Sequence, residues 1–247
     1  GGGECGGRGK IPAAEGEEAN YAACAAKAKE NGALVAAAAD LMGLARLKPP
    51  GEWGADVGVG STQRFGRPMA FGGPHAGYMA TRETFKRNIP GRIIGVSVDR
   101  LGNKALRMAL QMREQHIKRE KATSNICTAS ALVASMAGFY AIYHGAEGLT
   151  AIAEPINGSA AAVARALEAL GYKLTSGSYF DTLEVEAEAA VIQDIALDRG
   201  INFFYLTDNR VRMSFDEVTT EEELLDVVSI FAEAAGKKSP TSIKISG

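Results

Sequence analysis

Between Asp40 and Asn125 the chain gathers most of the side chains that could carry chemistry. Asp40 closes the apolar run ALVAAAAD, and a carboxylate there is, on its own, an ordinary strand-end or helix-cap aspartate. Gln63 and Arg64 sit in the glycine- and proline-rich stretch from Gly60 to Gly77, a loop that must take unusual backbone angles. His75 follows GGP and either lines a site or caps a turn, and Arg92 in PGRIIG is a carboxylate binder or part of a Pro-Gly turn. In REQHIKREKATSN, read as helical, Arg113, His116 and Glu120 fall near one face and Glu114 pairs with Lys118 one turn on. Thr123, Ser124 and Asn125 then offer hydroxyls and an amide where that helix ends; a solvated, ion-paired face is the plainer reading. GGPHAG has neither the spacing nor the following lysine of a phosphate-binding loop.

The elements that must position these groups alternate. Residues 17–30 read as a helix stopped at Asn31-Gly32, and ALVAAAADL as a buried parallel-sheet strand ending at Asp40. A second strand is expected near 55–60, and YMATRETFKRNIP as a strand running into a helix stopped by Pro90. Residues 105–121 and 128–145 read as helices, the second largely buried. Beyond about 151 come a helix at 159–170, the strand FDTLEVEA, a helix at 188–199, the strands INFFYL and RVRMSFD, and a helix capped at Thr219/Thr220 with three glutamates in its first turn. The boundaries expected are 1–20 disordered, 21–150 part of a large α/β domain, and 151–240 a small α+β domain.

Composition narrows the class. Hydrophobic residues make up 46% and charged residues 23%, an ordinary globular balance, and a net charge of −2 gives no field to gather nucleic acid or anionic membrane. No apolar run approaches the ~20 residues that span a bilayer. Cys5, Cys24 and Cys127, and His75, His116 and His144, lack metal-ligand spacing; three scattered cysteines favour a reduced compartment, with Cys127 read as packing. The start carries neither a signal-peptide core nor a transit pattern and does not begin with methionine, so the chain reads as a truncated or processed piece.

GEWGAD, STQRFGRPMAFGGPHAGY, NIPGRIIGVSVD, ALRMALQMREQHIKREKATSNICTA and FYAIYHG together resemble the glycine-cleaving P-protein family, glycine dehydrogenase (decarboxylating). The likeness continues more loosely through GYKLTSGSYFDTLEVE, DRGINFFYL and VRMSFDEVTTEEEL. It implies part of the large domain of a fold type I (aspartate-aminotransferase-like) pyridoxal-phosphate enzyme, followed by a C-terminal α+β small domain. In that family two such halves pair, and the cofactor lysine lies in the C-terminal one. Aligned on the downstream phenylalanine, proline and GGP, that lysine falls on Gln63; aligned on Asp56, it falls on Arg64. No lysine lies between Lys48 and Lys86, and neither an amide nor a guanidinium supplies the primary amine that an aldehyde cofactor needs.

The resemblance therefore implies the lysine-less N-terminal half, with no catalytic residue of its own and with pyridoxal phosphate held in the assembled enzyme. Asp40 occupies the place of the aspartate that pairs with the cofactor's pyridine nitrogen. Gln63, Arg64 and His75 mark a vestigial or neighbouring site. Arg92, Arg113, His116, Thr123, Ser124 and Asn125 are candidates for the interface or for substrate. The implied partners are a lysine-bearing half, a lipoylated H-protein and glycine, in bacterial cytoplasm or mitochondrial matrix. A stand-alone regulatory or scaffold module, or a degenerate fragment without activity, is the alternative.

Overall fold

A computed structural model describes residues 8–12, 21–69, 71–72, 75–89, 91–112, 118–122 and 128–245. The first sheet runs β1 (Arg8–Ile11), β2 (Ala36–Ala39), β3 (Val57–Ser61) and β4 (Gly77–Thr81) in spatial order, the first three parallel and β4 antiparallel. Residues 8–11, expected to be disordered, thus form a strand, because their backbone pairs with the β2 edge from Arg8↔Ala36 to Ile11↔Ala39. Helix α1 (Ala22–Glu30) covers one face of the sheet, packing Ala25 and Ala28 on Val35, Ala37 and Ala55.

The other face departs from the expectation of a parallel strand buried on both sides. Ala38, Val59 and Met79 lie in register across β2, β3 and β4 and are exposed. An apolar run alone cannot tell one covered face from two. Cys24, on α1, is disulfide-bonded, against the reduced state expected from scattered cysteines; proximity in space decides pairing, not spacing along the chain.

After the short helix α2 (Pro50–Trp53) and the first sheet, β5 (Gly91–Val98) and β6 (Lys104–Met112) form an antiparallel hairpin. This corrects the first part, 105–112, of the helix expected at 105–121; residues 113–117 lie outside the described residues, and Arg119–Lys121 form a turn of 3-10 helix. ALRMALQM is built from good helix formers, yet its side chains are used at period two: Leu106 faces Val96 and Met108 faces Ile94 across the ladder. Cross-strand pairing has overridden local propensity. Asp99 closes the turn by accepting the backbone N–H groups of Leu101 (2.7 Å) and Asn103 (2.9 Å).

Helix α3 (Ala131–Ala169) is two helical stretches that meet at Gly145: the first ends where the helix read over 128–145 ends, and the second begins well before the expected residue 159. It holds Pro155 within it and changes course only at Gly145, at φ 63° and ψ −174°, a combination essentially restricted to glycine. Ala153, Ile156, Ala160, Val163 and Leu167 recur every three to four residues and are fully buried. That burial outweighs the ~3 kcal/mol cost of an internal proline. The first part of the helix is not the buried element expected: Val133 and Ala137 are covered, whereas Leu132, Phe139, Ile142 and Tyr143 are exposed.

The second sheet has the order β7 (Lys173–Leu174), β8 (Thr182–Glu186), β10 (Arg210–Ser214), β9 (Phe204–Thr207), antiparallel throughout. The end of α3, α4 (Ala189–Asp198) and α5 (Glu221–Ala234) pack on it around Leu167, Val185, Ile192, Val211, Val228 and Phe231. Helix α5 begins as its sequence indicates, with a capping box: Thr220 accepts the Glu223 N–H, and the Glu223 carboxylate accepts the Thr220 N–H at 2.7 Å.

Candidate functional site

A cleft of about 590 Å³ opens where the carboxyl ends of β1, β2 and β3 face the second sheet. Ligand crevices of open α/β sheets form at such strand ends. Asp40, Gly60, Ser61, Gln63 and Arg64 line one side, and Asp181, Thr182, Phe204, Arg212 and Ser214 the other.

Local structure aims each group. Asp40 leaves β2 and turns back on its own chain, its Oδ1 accepting the N–H groups of Met42 (2.7 Å) and Gly43 (3.3 Å). Thr62 anchors the next loop by donating its hydroxyl to the Ala76 carbonyl at 2.9 Å, and Phe65 is buried among Met42, Phe180 and Ile156. With residues 62 and 65 fixed inward, Arg64 reaches into the cleft. Its Nη1 donates to Asp40 Oδ2 at 2.8 Å and to Asp181 Oδ2, and its guanidinium carbon lies 5.6 Å from the Phe180 ring centroid. Burial alone would lower the Arg64 pKa; the charges of Asp40 and Asp181 and their hydrogen bonds outweigh it and hold the group above its ordinary value.

Asp181 is placed with equal care. Asn157, on α3, donates to the carbonyls of Tyr179 (3.0 Å) and Phe180 (2.7 Å), and Thr182 donates its hydroxyl to Asp181 Oδ1 at 2.9 Å. Deeper in the second sheet Glu184 is buried, with Arg210 on one carboxylate oxygen (3.0 Å) and Arg212 on the other (2.7 and 3.2 Å). Arg212, which also lies over Phe204, therefore has its charge committed within the protein.

Of the residues singled out in the sequence, Asp40, Gln63 and Arg64 meet in this cleft. His75 is exposed on the loop before β4, and Arg92 is exposed on β5; neither lines it. Arg113, His116, Thr123, Ser124 and Asn125 lie outside the described residues. Sequence reading passed over Asp181, Phe180 and Asn157. The available signal was the aspartate immediately before the strand TLEVE, which mirrors Asp40 immediately after AAAA. Among the described residues no group of three or more His, Cys, Asp or Glu is placed to hold a metal, and no helix is long and apolar enough to cross a membrane.

Comparison with known proteins adds to this geometry. The sequence profile described as "Glycine cleavage system P-protein" matches residues 9–231. Glycine dehydrogenase (decarboxylating) of Flavobacterium johnsoniae is 54% identical over 232 residues, 94% of this chain and 24% of that protein. The Paraburkholderia xenovorans protein of the same name is 52% identical over 231 residues, 93% of this chain and 24% of its own length. The chain thus spans about a quarter of the length of these curated relatives.

Among solved structures, the inhibitor-bound crystal structure of a glycine decarboxylase (P-protein) superimposes with a TM-score of 0.84 at 33% identity, covering 92% of this chain and 54% of the other. An aspartate aminotransferase of Thermus thermophilus, with a TM-score of 0.58 and 17% identity over 90% of this chain and 61% of its own, shares the fold alone. The architecture is that of fold type I pyridoxal-phosphate enzymes. The described cleft residues nevertheless do not fit that cofactor. Neither Gln63 nor Arg64 supplies an amine, and both carboxylate oxygens of Asp40 are engaged within the protein.

Proposed function

Since this chain belongs to the glycine cleavage system P-protein family, we propose that it serves as the lysine-less, supporting half of a pyridoxal-phosphate-dependent glycine decarboxylase. In the assembled enzyme the cofactor resides in a lysine-bearing half, glycine loses its carboxylate there, and the remaining aminomethyl group passes to a lipoylated H-protein. This chain binds and shapes that half; it carries out no covalent step.

One observation carries the reading. At the strand-end position suited to a cofactor's ring nitrogen stands Asp40, joined to Arg64, in a loop region where no lysine occurs between Lys48 and Lys86. Two open apolar surfaces support the pairing. Ile94, Val96 and Val98 with Met108 and Leu106 form an exposed row on one face of the β5–β6 hairpin. Leu132, Phe139, Ile142 and Tyr143 form an exposed stripe on α3. A two-stranded ribbon is marginal by itself, and contiguous exposed apolar surface marks a place of association.

The test is borohydride reduction of the chain with pyridoxal phosphate, alone and with a lysine-bearing half, followed by peptide mapping and glycine-dependent carbon dioxide exchange. The expected adduct maps to the added half only, and exchange needs both components. A stoichiometric adduct on a lysine of this chain would make it a catalyst in its own right.

A further inference from the structure

We propose that Arg64 is the resident cation of the cleft, a tie that joins the two sheets and takes the place a cationic ligand would otherwise fill. The charge arrangement leads there. Asp40 follows β2 in the first sheet and Asp181 precedes β8 in the second, 141 positions later in the sequence. Each carboxylate spends one oxygen locally: Asp40 Oδ1 on the Met42 and Gly43 amides, Asp181 Oδ1 on the Thr182 hydroxyl. Each gives its other oxygen to the same nitrogen, Arg64 Nη1.

The guanidinium is also backed by the fully buried Phe180 ring, so one face of the cation rests on a π-surface. Two carboxylates facing one cleft repel unless a cation lies between them. Arg64 meets that need with the two N–H bonds of Nη1, and its planar guanidinium adds a face for stacking that a lysine ammonium lacks.

Filling the cleft with a side chain has a chemical corollary. With Arg64 removed, Asp40 and Asp181 form a vacant two-carboxylate site against an aromatic wall, a receptor for small planar cations of the guanidinium class. This inference rests on the cleft geometry and not on assembly with a second half, so its failure would leave the supporting-half reading standing.

Chemical rescue of the full chain provides the test. Arg64→Ala is expected to lower the Tm by about 5–10 °C. Low-millimolar guanidinium chloride should then restore at least half of that loss saturably, while matched sodium chloride does not and wild type shows no gain. Adding Asp181→Asn to Arg64→Ala should abolish the rescue. An Arg64→Ala Tm equal to wild type, or a guanidinium gain of equal size in wild type, overturns the proposal. If Arg64→Ala does not fold, Arg64→Lys and Asp181→Asn are measured singly and together. Non-additive Tm losses are expected, and additive ones overturn the tie.

Discussion

Substitutions around Glu184 should separate a buried charge from the cations that neutralise it. The Glu184 side chain is 2% exposed, that of Arg212 18% and that of Arg210 49%. Removing the carboxylate strands Arg212, which is mostly covered and pinned over Phe204. Stranding a buried charge costs about 3–5 kcal/mol, and because Arg212 lines the open cleft and can recruit water, Glu184→Ala should fall near the lower end. Arg212→Ala removes two hydrogen bonds and a cation–π contact but leaves Glu184 its other arginine, so about 2 kcal/mol is expected.

Arg210→Ala breaks one contact of a half-exposed, solvent-screened cation and should cost less than about 1 kcal/mol. For a chain of this size 3 kcal/mol corresponds to roughly 6–12 °C in Tm. Urea unfolding followed by far-ultraviolet circular dichroism, with thermal scans beside it, measures all three. The order Glu184, Arg212, Arg210 is the prediction. Arg210→Ala costing as much as Glu184→Ala would refute the exposure argument. A Glu184→Ala variant within 0.5 kcal/mol of wild type, on the order of the scatter for ordinary surface substitutions, would mean that desolvation cancels the pairing.

Three further outcomes are expected. A Cβ on Gly60 would lie 2.2 Å from the Ala39 carbonyl oxygen, so Gly60→Ala should cost about 3 kcal/mol in urea unfolding, and a loss under 1 kcal/mol would show that the strands can part. Tyr78, whose hydroxyl donates to Ala39 O at 2.8 Å, has its pKa raised by burial and then by the charge of Asp40. Its folded-state pKa lies above the ordinary tyrosine value of 10.0, so its contribution is complete below pH 10.0 and is lost as pH rises through the folded value. Tyr78→Phe should flatten the alkaline fall in stability, and an unchanged slope would assign that fall to other groups. Val96→Lys with Leu106→Glu places opposite charges directly across the hairpin. The pair should keep the Tm within about 2 °C yet weaken association with a lysine-bearing half at least ~10-fold, as read by calorimetry; unchanged affinity would move the interface elsewhere.

What could be read ahead of the structure depended on how local each signal was. The Thr220 capping box and the β8–β10 region are written in neighbouring residues and form as read, and the strand before Asp40 forms too, though with one face open. The β6 segment was misread because Ala, Leu, Met, Arg and Gln favour helix locally, while the deciding partner, β5, answers only in register. Pro155 looks like a helix end in a sequence, yet burial of the Ile156–Leu167 face carries α3 through it, whereas Gly145 does end the first helical stretch. At the site, Asp40 and Arg64 lie 24 residues apart and were both candidates. Asp181 lies 117 residues beyond Arg64, where no spacing rule connects them.

The single joint in α3 gives the molecule a mechanical character. Gly145 divides the helix into an arm of about 20 Å bearing Phe139, Ile142 and Tyr143, and a shaft of about 35 Å rooted in the second-sheet core. Rotation of 10° at that joint sweeps the arm's tip through roughly 3–4 Å. A load placed on the exposed stripe has two routes to the cleft: through Gly145 into a shaft that carries Asn157, the side chain holding the carbonyls of Tyr179 and Phe180 beside Asp181, and through Ala137 and Tyr140, packed with Phe65, Ile156 and Phe180. Gly145 sets the bend between arm and shaft, and the packing of Ala137 and Tyr140 limits how far the arm can swing about it.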